Sequence, residues 1–206
     1  MALTFYTNPM SRGQIARWAL HEAGVDYDQK IVQYGEEMKS EPYISINPMG
    51  KVPAIDHGGT IVTECAAICH YLAEMFKPDL LPTDGEKAAY FRWLFYAAGP
   101  VEAAVTNKSM GFEVTEPDKR GTLGYGDYDL VMDVLEQHFA ANDYVVGDRF
   151  TMADVYLGSH ISWGMQFGTM PERGSFKAYA ERLTARDAWK EAKAIDVDLI
   201  AQAQAK

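Results

Sequence analysis

Three side chains able to hold an anion crowd into one short stretch, FYTNPMSRGQIAR: Tyr6, Ser11 and Arg12. A phenol, a hydroxyl and a guanidinium at a strand-to-helix junction can each donate a hydrogen bond to a thiolate or a carboxylate. Each also has a plainer role. Ser11 is a preferred helix N-cap, Tyr6 can be a packed aromatic, and Arg12 a surface cation. A second group follows in NPMGKVPAI and TECAAICHYLAEMF. Gly50 frees the turn, and Lys51 puts a cation within reach of a carboxylate. A cis Val52-Pro53 step would turn the main chain of Val52 towards an extended peptide lying alongside, a short β-augmentation. Thr63-Glu64-Cys65 opens a helix whose first amides attract anions, while Glu64 can hold an ammonium. As plainer roles, Glu64 would complement the helix dipole and Lys51 would be a solvated lysine.

The elements that must position these groups follow from pattern. Leu3 to Tyr6 reads as a strand, SRGQIARWALHEAG as a helix with Ile15, Trp18, Ala19 and Glu22 at helical spacing and Gly24 as its stop, and VDYDQKIVQY as a second strand. Strand-helix-strand implies a parallel pair with a right-handed crossover. Gly35 to Asn47 reads as a loop with room for a short helix. Ala54-Ile55 and Ile61-Val62 flank the turn His57-Gly58-Gly59 as a hairpin. A helix follows, with Ala66, Ile68, Cys69, Leu72 and Met75 as its apolar stripe. Lys77 to Gly85 reads as a linker. Beyond it the pattern is helical: EKAAYFRWLFYAAGPVEAAV, GDYDLVMDVLEQHFAAN with Leu130, Val134, Leu135 and His138 in register, TMADVYLGSHISWGM and FKAYAERLTARDAWKEA. Thr151 to Asp154 forms a capping-box pattern, a folding device. A small α/β domain, residues 1–80, therefore precedes an all-helical domain, residues 86–206.

The 206 residues, 48% hydrophobic and 23% charged, suit a soluble globular chain able to bury its apolar surface without staples. A net charge of -10 argues against nucleic acid or an anionic membrane as partner. No apolar run approaches the roughly 20 residues of a membrane span, and no leader pattern opens the chain. Cys65 and Cys69 lie one helical turn apart and read as reduced thiols; with only His70 nearby they make no zinc site. No phosphate-binding glycine pattern follows the first strand, which excludes a nucleotide site.

A carboxylate subsite at Lys51, a peptide edge at Val52 and an amino-acid subsite at Glu64 together describe γ-glutamyl-cysteinyl-glycine, glutathione. With these residues, and with FTMADVYLGS in the helical half, nearly the whole chain resembles the cytosolic glutathione transferases of bacterial type. The resemblance implies a thioredoxin-like N-terminal domain followed by an all-helical one, a cytoplasmic homodimer, glutathione as co-substrate, no metal, and a small apolar electrophile as second substrate. It implies that Val52 holds the cysteinyl moiety through its main chain, that Pro53 is cis, and that Glu64 and Cys65 hold the γ-glutamyl group. Such transferases usually carry Ser after that Glu, so Cys65 offers a weaker contact. They activate the thiol with a Tyr, Ser or Cys in the region of Tyr6 and Ser11, with Arg12 as a further cation. Moving a thiol from about 8.5 to about 6.5 takes roughly 2.7 kcal/mol, within reach of one or two hydrogen bonds and a helix N-terminus. Met10, Tyr96, Phe112 and Phe167 are the candidate walls of the electrophile pocket. Peroxidase, disulfide-reductase or dehalogenase chemistry with glutathione, and a non-enzymatic binding module, are the competing functions.

Overall fold

The computed structural model describes residues 2–112 and 114–205. Burial alternates along β1 (Leu3–Thr7), with Leu3, Phe5 and Thr7 turned to the deeper face, the two-residue period of a strand. β1 runs parallel to β2 (Asp28–Ile31) and antiparallel to β3 (Ala54–His57), which pairs antiparallel with β4 (Thr60–Thr63); the sheet order is β2-β1-β3-β4. The expected crossover is α1 (Gly13–Ala23), which buries Ile15, Trp18 and Ala19 and stops at Gly24, φ 63°. The hairpin turns at Gly58 and Gly59, both at positive φ, and the Gly59 amide donates to Asp56.

The stretch read as a loop holds two short helices, α2 (Glu36–Lys39) and α3 (Tyr43–Ile46). Met38 and Tyr43 join Val32 in a small core against which Tyr6, Ile46 and Val52 pack. The helix after the hairpin, α4 (Cys65–Phe76), buries Cys65, Ile68, Cys69, Leu72 and Ala73. Met75 of the expected stripe is 49% exposed, because Ala73 takes the inner position on the last turn.

In the second unit, Pro82–Leu183, the regular elements among the described residues are helices, beside an isolated bridge between Tyr144 and Gly147. α5 (Lys87–Tyr96) runs through a π-type turn, Ala97–Val101, into α6 (Glu102–Ser109). Pro100 sits inside that turn, where a residue without an amide forces the widened ladder. α7 (Pro117–Arg120), α8 (Tyr128–Ala141), α9 (Met152–Gln166) and α10 (Gly174–Thr184) follow. The inner face of α8 is Val131, Met132, Leu135 and Phe139, which shares Leu135 with the expected Leu130, Val134, Leu135 and His138; Leu130 is 51% exposed. The Asp127 side chain caps the Leu130 amide at 2.8 Å and sets where the helix begins.

The last helix, α11 (Asp187–Gln204), departs from the sequence reading. Thr184–Lys206 groups with Met1–Leu81, whereas the sequence placed the whole of 86–206 in one helical domain. The cause is a set of polar links from α11 and its leading residue to α1: Arg186 forks onto Glu22 at 2.6 and 2.7 Å, Lys193 donates to Gln14 at 3.0 Å, and Arg17 faces Asp196 at 3.0 Å.

Candidate functional site

Sheet register gathers the first-unit candidates on one rim. Tyr6 pairs with Ala54, and Ala54 with Thr63. The end of β1, the start of β3 and the end of β4 therefore adjoin. From them hang the turn carrying Met10, Ser11 and Arg12, the segment Lys51-Val52-Pro53, and the helix opening at Glu64-Cys65. The Cys65 thiol reaches the Arg12 carbonyl, Sγ to O 3.7 Å, which ties the third of these to the first.

The turn after β1 is organised by Asn8, which is buried. Its Nδ2 donates to the Val32 carbonyl at 3.0 Å, its Oδ1 accepts from the Met10 amide at 3.0 Å, and its carbonyl accepts from the Ser11 amide at 3.1 Å. The Ser11 hydroxyl donates to that same carbonyl at 2.6 Å and accepts from the Gly13 amide at 2.9 Å. Ser11 thus serves the local turn at the mouth of α1. Gly13 is required beside it: a Cβ there would lie 1.9 Å from the Thr7 hydroxyl. Sequence reasoning missed Asn8 and Gly13; the Asn-Pro pair after a strand was the available signal. Tyr6 packs its ring on Tyr43, centroids 5.8 Å apart, with the Lys30 ammonium 5.6 Å from the ring centre. Arg12 is exposed.

The Val52-Pro53 bond is cis, as the sequence reading expected. Gly50 has φ 57°, and a Cβ there would come within 2.7 Å of the Met38 carbonyl. The Lys51 carbonyl accepts from the Tyr43 hydroxyl at 2.6 Å and from Asn47 at 2.8 Å, while the Lys51 side chain is exposed. Burial pushes the Tyr43 phenol up to about 12, so it remains a donor. A second lysine, Lys39, donates to the carbonyls of Met49 and Gly50 at 3.0 and 2.7 Å and steadies this loop from below. Its place in a polar stretch gave no sign of that role.

Glu64 stands out in its backbone. Among the described residues it is the non-glycine with positive φ, at φ 65° and ψ 117°. Such a conformation costs about 1–3 kcal/mol and gathers at ligand sites. The Glu64 side chain is exposed and makes no cap bond to α4. Cys65 is buried behind it. The hydrogen bond with Cys65 and then burial push the Cys69 thiol well up, so Cys69 stays protonated and inert.

The other three wall candidates belong to the second unit. The Tyr96 hydroxyl donates to the Val131 carbonyl at 3.3 Å and burial pushes it up to about 12. Phe112 is exposed and lines a cavity of about 410 Å³ with Lys108, Arg120, Tyr125 and Tyr128. Phe167 is exposed just beyond α9. In this unit Asp154 fulfils the capping pattern from within the core, its Oδ2 accepting from the Thr151 amide and hydroxyl at 2.7 and 2.9 Å. No group of three or more His, Cys, Asp or Glu suited to a metal occurs among the described residues, nor any helix long and apolar enough to cross a membrane.

Residues 1–74 match the sequence model of the glutathione S-transferase N-terminal domain, and residues 127–187 that of the C-terminal domain. Glutathione S-transferase F10 of Arabidopsis thaliana is 30% identical over 94% of this chain and 97% of its own length. Maleylacetoacetate isomerase of Rattus norvegicus is 31% identical over 73% of this chain and 72% of its own. The theta-class glutathione S-transferase of Xanthomonas axonopodis pv. citri, solved with glutathione bound, superposes with a TM-score of 0.72 at 27% identity, covering 93% of this chain and 96% of that one. Both halves of the fold and the sequence matches agree: the chain belongs to the glutathione S-transferase family.

Proposed function

We propose that the rim of the first unit binds glutathione and that Ser11 holds its sulfur as a thiolate for transfer to small apolar electrophiles. The observation that carries this reading is the convergence of the Ser11 turn, the Val52-Pro53 segment and the strained Glu64 through the Tyr6–Ala54–Thr63 register. Val52 lies just outside the β3 ladder, where an extended peptide can pair with its main chain. Lys51 receives the glycyl carboxylate, and Glu64 with the first amides of α4 receives the γ-glutamyl head. The Ser11 hydroxyl reaches the sulfur by giving up the Asn8 carbonyl, an exchange worth about 0.5–1.5 kcal/mol, while its bond from the Gly13 amide orients the oxygen. Met10, exposed on the same turn, is the first-unit residue set to line the electrophile pocket.

Calorimetric titration with glutathione tests the binding step. No heat at millimolar ligand favours the non-enzymatic module. For the chemical step, Ser11→Ala is expected to lower kcat/KM for conjugation well over tenfold while the protein stays folded, equivalent to more than about 1.4 kcal/mol. Tyr6→Phe measured beside it decides between the two hydroxyls: near-wild-type activity of Ser11→Ala removes Ser11 from the role. The substrate panel spans aryl halides, peroxides, disulfides and, because of the isomerase relative, a maleyl compound.

We propose in addition a cytoplasmic homodimer. Phe91 and Phe95, one turn apart on α5, are both exposed and supply an apolar face. Sedimentation at micromolar concentration is expected to give twice the chain mass; a monomer ends this proposal.

A further inference from the structure

Successive carbonyls of the turn after β1 each have a donor. Asn8 is served by Ser11, Met10 by the Tyr34 hydroxyl at 3.1 Å, and Ser11 by the Gln14 amide at 3.2 Å. The carbonyl of Pro9, which is buried, accepts from the side chain of Gln14, Nε2 to O 2.5 Å. The other end of that side chain is also committed: Gln14 Oε1 accepts from Lys193 Nζ at 3.0 Å. The two partners fix the amide unambiguously, since an ammonium must meet the oxygen and a carbonyl must meet the N–H. A residue from the far end of the chain therefore holds the group that holds the turn. When the Ser11 hydroxyl leaves Asn8 to meet a sulfur, the turn loses one tie, and the Gln14 bond remains to keep its shape.

We propose that Gln14, anchored by Lys193 of α11, is a positioning residue for the Ser11 turn. The proposal rests on the glutathione reading for its catalytic part only; its mechanical part rests on the Gln14 bonds to Pro9 and Lys193.

Three variants separate positioning from simple helix packing. Gln14→Glu keeps the acceptor for Lys193 but has no N–H for Pro9. Lys193→Met removes the anchor and leaves Gln14. Lys193→Arg keeps a donor. Gln14→Glu and Lys193→Met are expected to lower kcat for glutathione conjugation roughly fivefold or more, the weight of one hydrogen bond, with KM for glutathione within about twofold. Lys193→Arg is expected to restore kcat. Amide hydrogen exchange at Met10 and Ser11 is expected to quicken in the first two variants and not in the third. A Gln14→Glu protein with wild-type kcat and unchanged exchange overturns the proposal, even if its melting temperature falls, because the Lys193 link is then only a tie between helices. If the wild-type protein fails to take up glutathione in the calorimeter, the functional reading falls by itself, and exchange at Met10 and Ser11 still decides whether Gln14 holds the turn.

Discussion

Asp154→Ala is expected to cost about 3–5 kcal/mol of folding stability, read from the shift in urea midpoint. The carboxylate is fully buried and accepts four hydrogen bonds. Beside those from the Thr151 amide and hydroxyl, it accepts from the Val145 amide and the Tyr179 hydroxyl, both at 2.8 Å. Truncation strands four donors in the core and opens a cavity besides. The same burial makes the site sensitive to pH. It pushes the Asp154 carboxyl from 3.8 up to about 6, although the four donors pull the other way. Because the folded value lies above the unfolded one, this group's contribution is fully present below about pH 4 and is lost as pH rises through about 6. The difference is equivalent to roughly 3 kcal/mol. Glu86 works in the opposite sense: the Arg149 guanidinium holds it down to about 2, so its contribution is lost as pH falls. Wild type minus Asp154→Asn, measured from pH 4 to 7, isolates the first effect and is expected to decline with rising pH. A flat difference excludes titration of Asp154 in that window.

Arg17→Met is the second large effect, again about 3–5 kcal/mol. The Arg17 and Asp196 side chains are each 1% exposed, and their Nε–Oδ1 distance is 3.0 Å. They are close without being well aligned, and neither Asp196 oxygen has an aligned hydrogen-bond donor among the described residues. Arg17 is better placed elsewhere, donating to the Tyr27 hydroxyl at 2.8 Å and lying 5.3 Å from the Phe5 ring centre. Burial outweighs the guanidinium and pushes the Asp196 carboxyl up. Removing the cation therefore leaves a buried acid that must ionise without its close partner or carry a proton at neutral pH. The double variant Arg17→Met/Asp196→Leu is expected to recover most of the loss, because a pair with so few satisfied bonds gives little net stability over an apolar one. A double variant as unstable as the single would show that shape, and not the stranded charge, sets the cost.

What the sequence made legible follows local rules. The strand of alternating burial, the helix stopped by Gly24, the Gly58-Gly59 hairpin and the Thr151–Asp154 cap are each written within a few residues, and all are present. The rim was half legible. Val52, Pro53 and Glu64 could be named from their neighbours, but the register that brings them to Ser11 is a property of the sheet. The posture of Ser11 was open, since an N-cap and a sulfur donor need the same residue type; in the structure it bonds to its own turn. The placement of α11 was not legible. Arg17 lies inside the first helical stretch and Lys193 and Asp196 just beyond the last, and nothing local says that they meet across most of the chain. The inner face of α8 was legible in part: Leu135 was expected, whereas Val131, Met132 and Phe139 were not.

The return of α11 to the first unit also constrains biosynthesis. On a ribosome the sheet and its early helices emerge first, yet the acid that answers Arg17 arrives only after the whole of Pro82–Leu183 has been made. Until then the nascent first unit carries a guanidinium and the flank of α1 uncovered, a surface suited to chaperones. The first unit to emerge is thus the last to be completed.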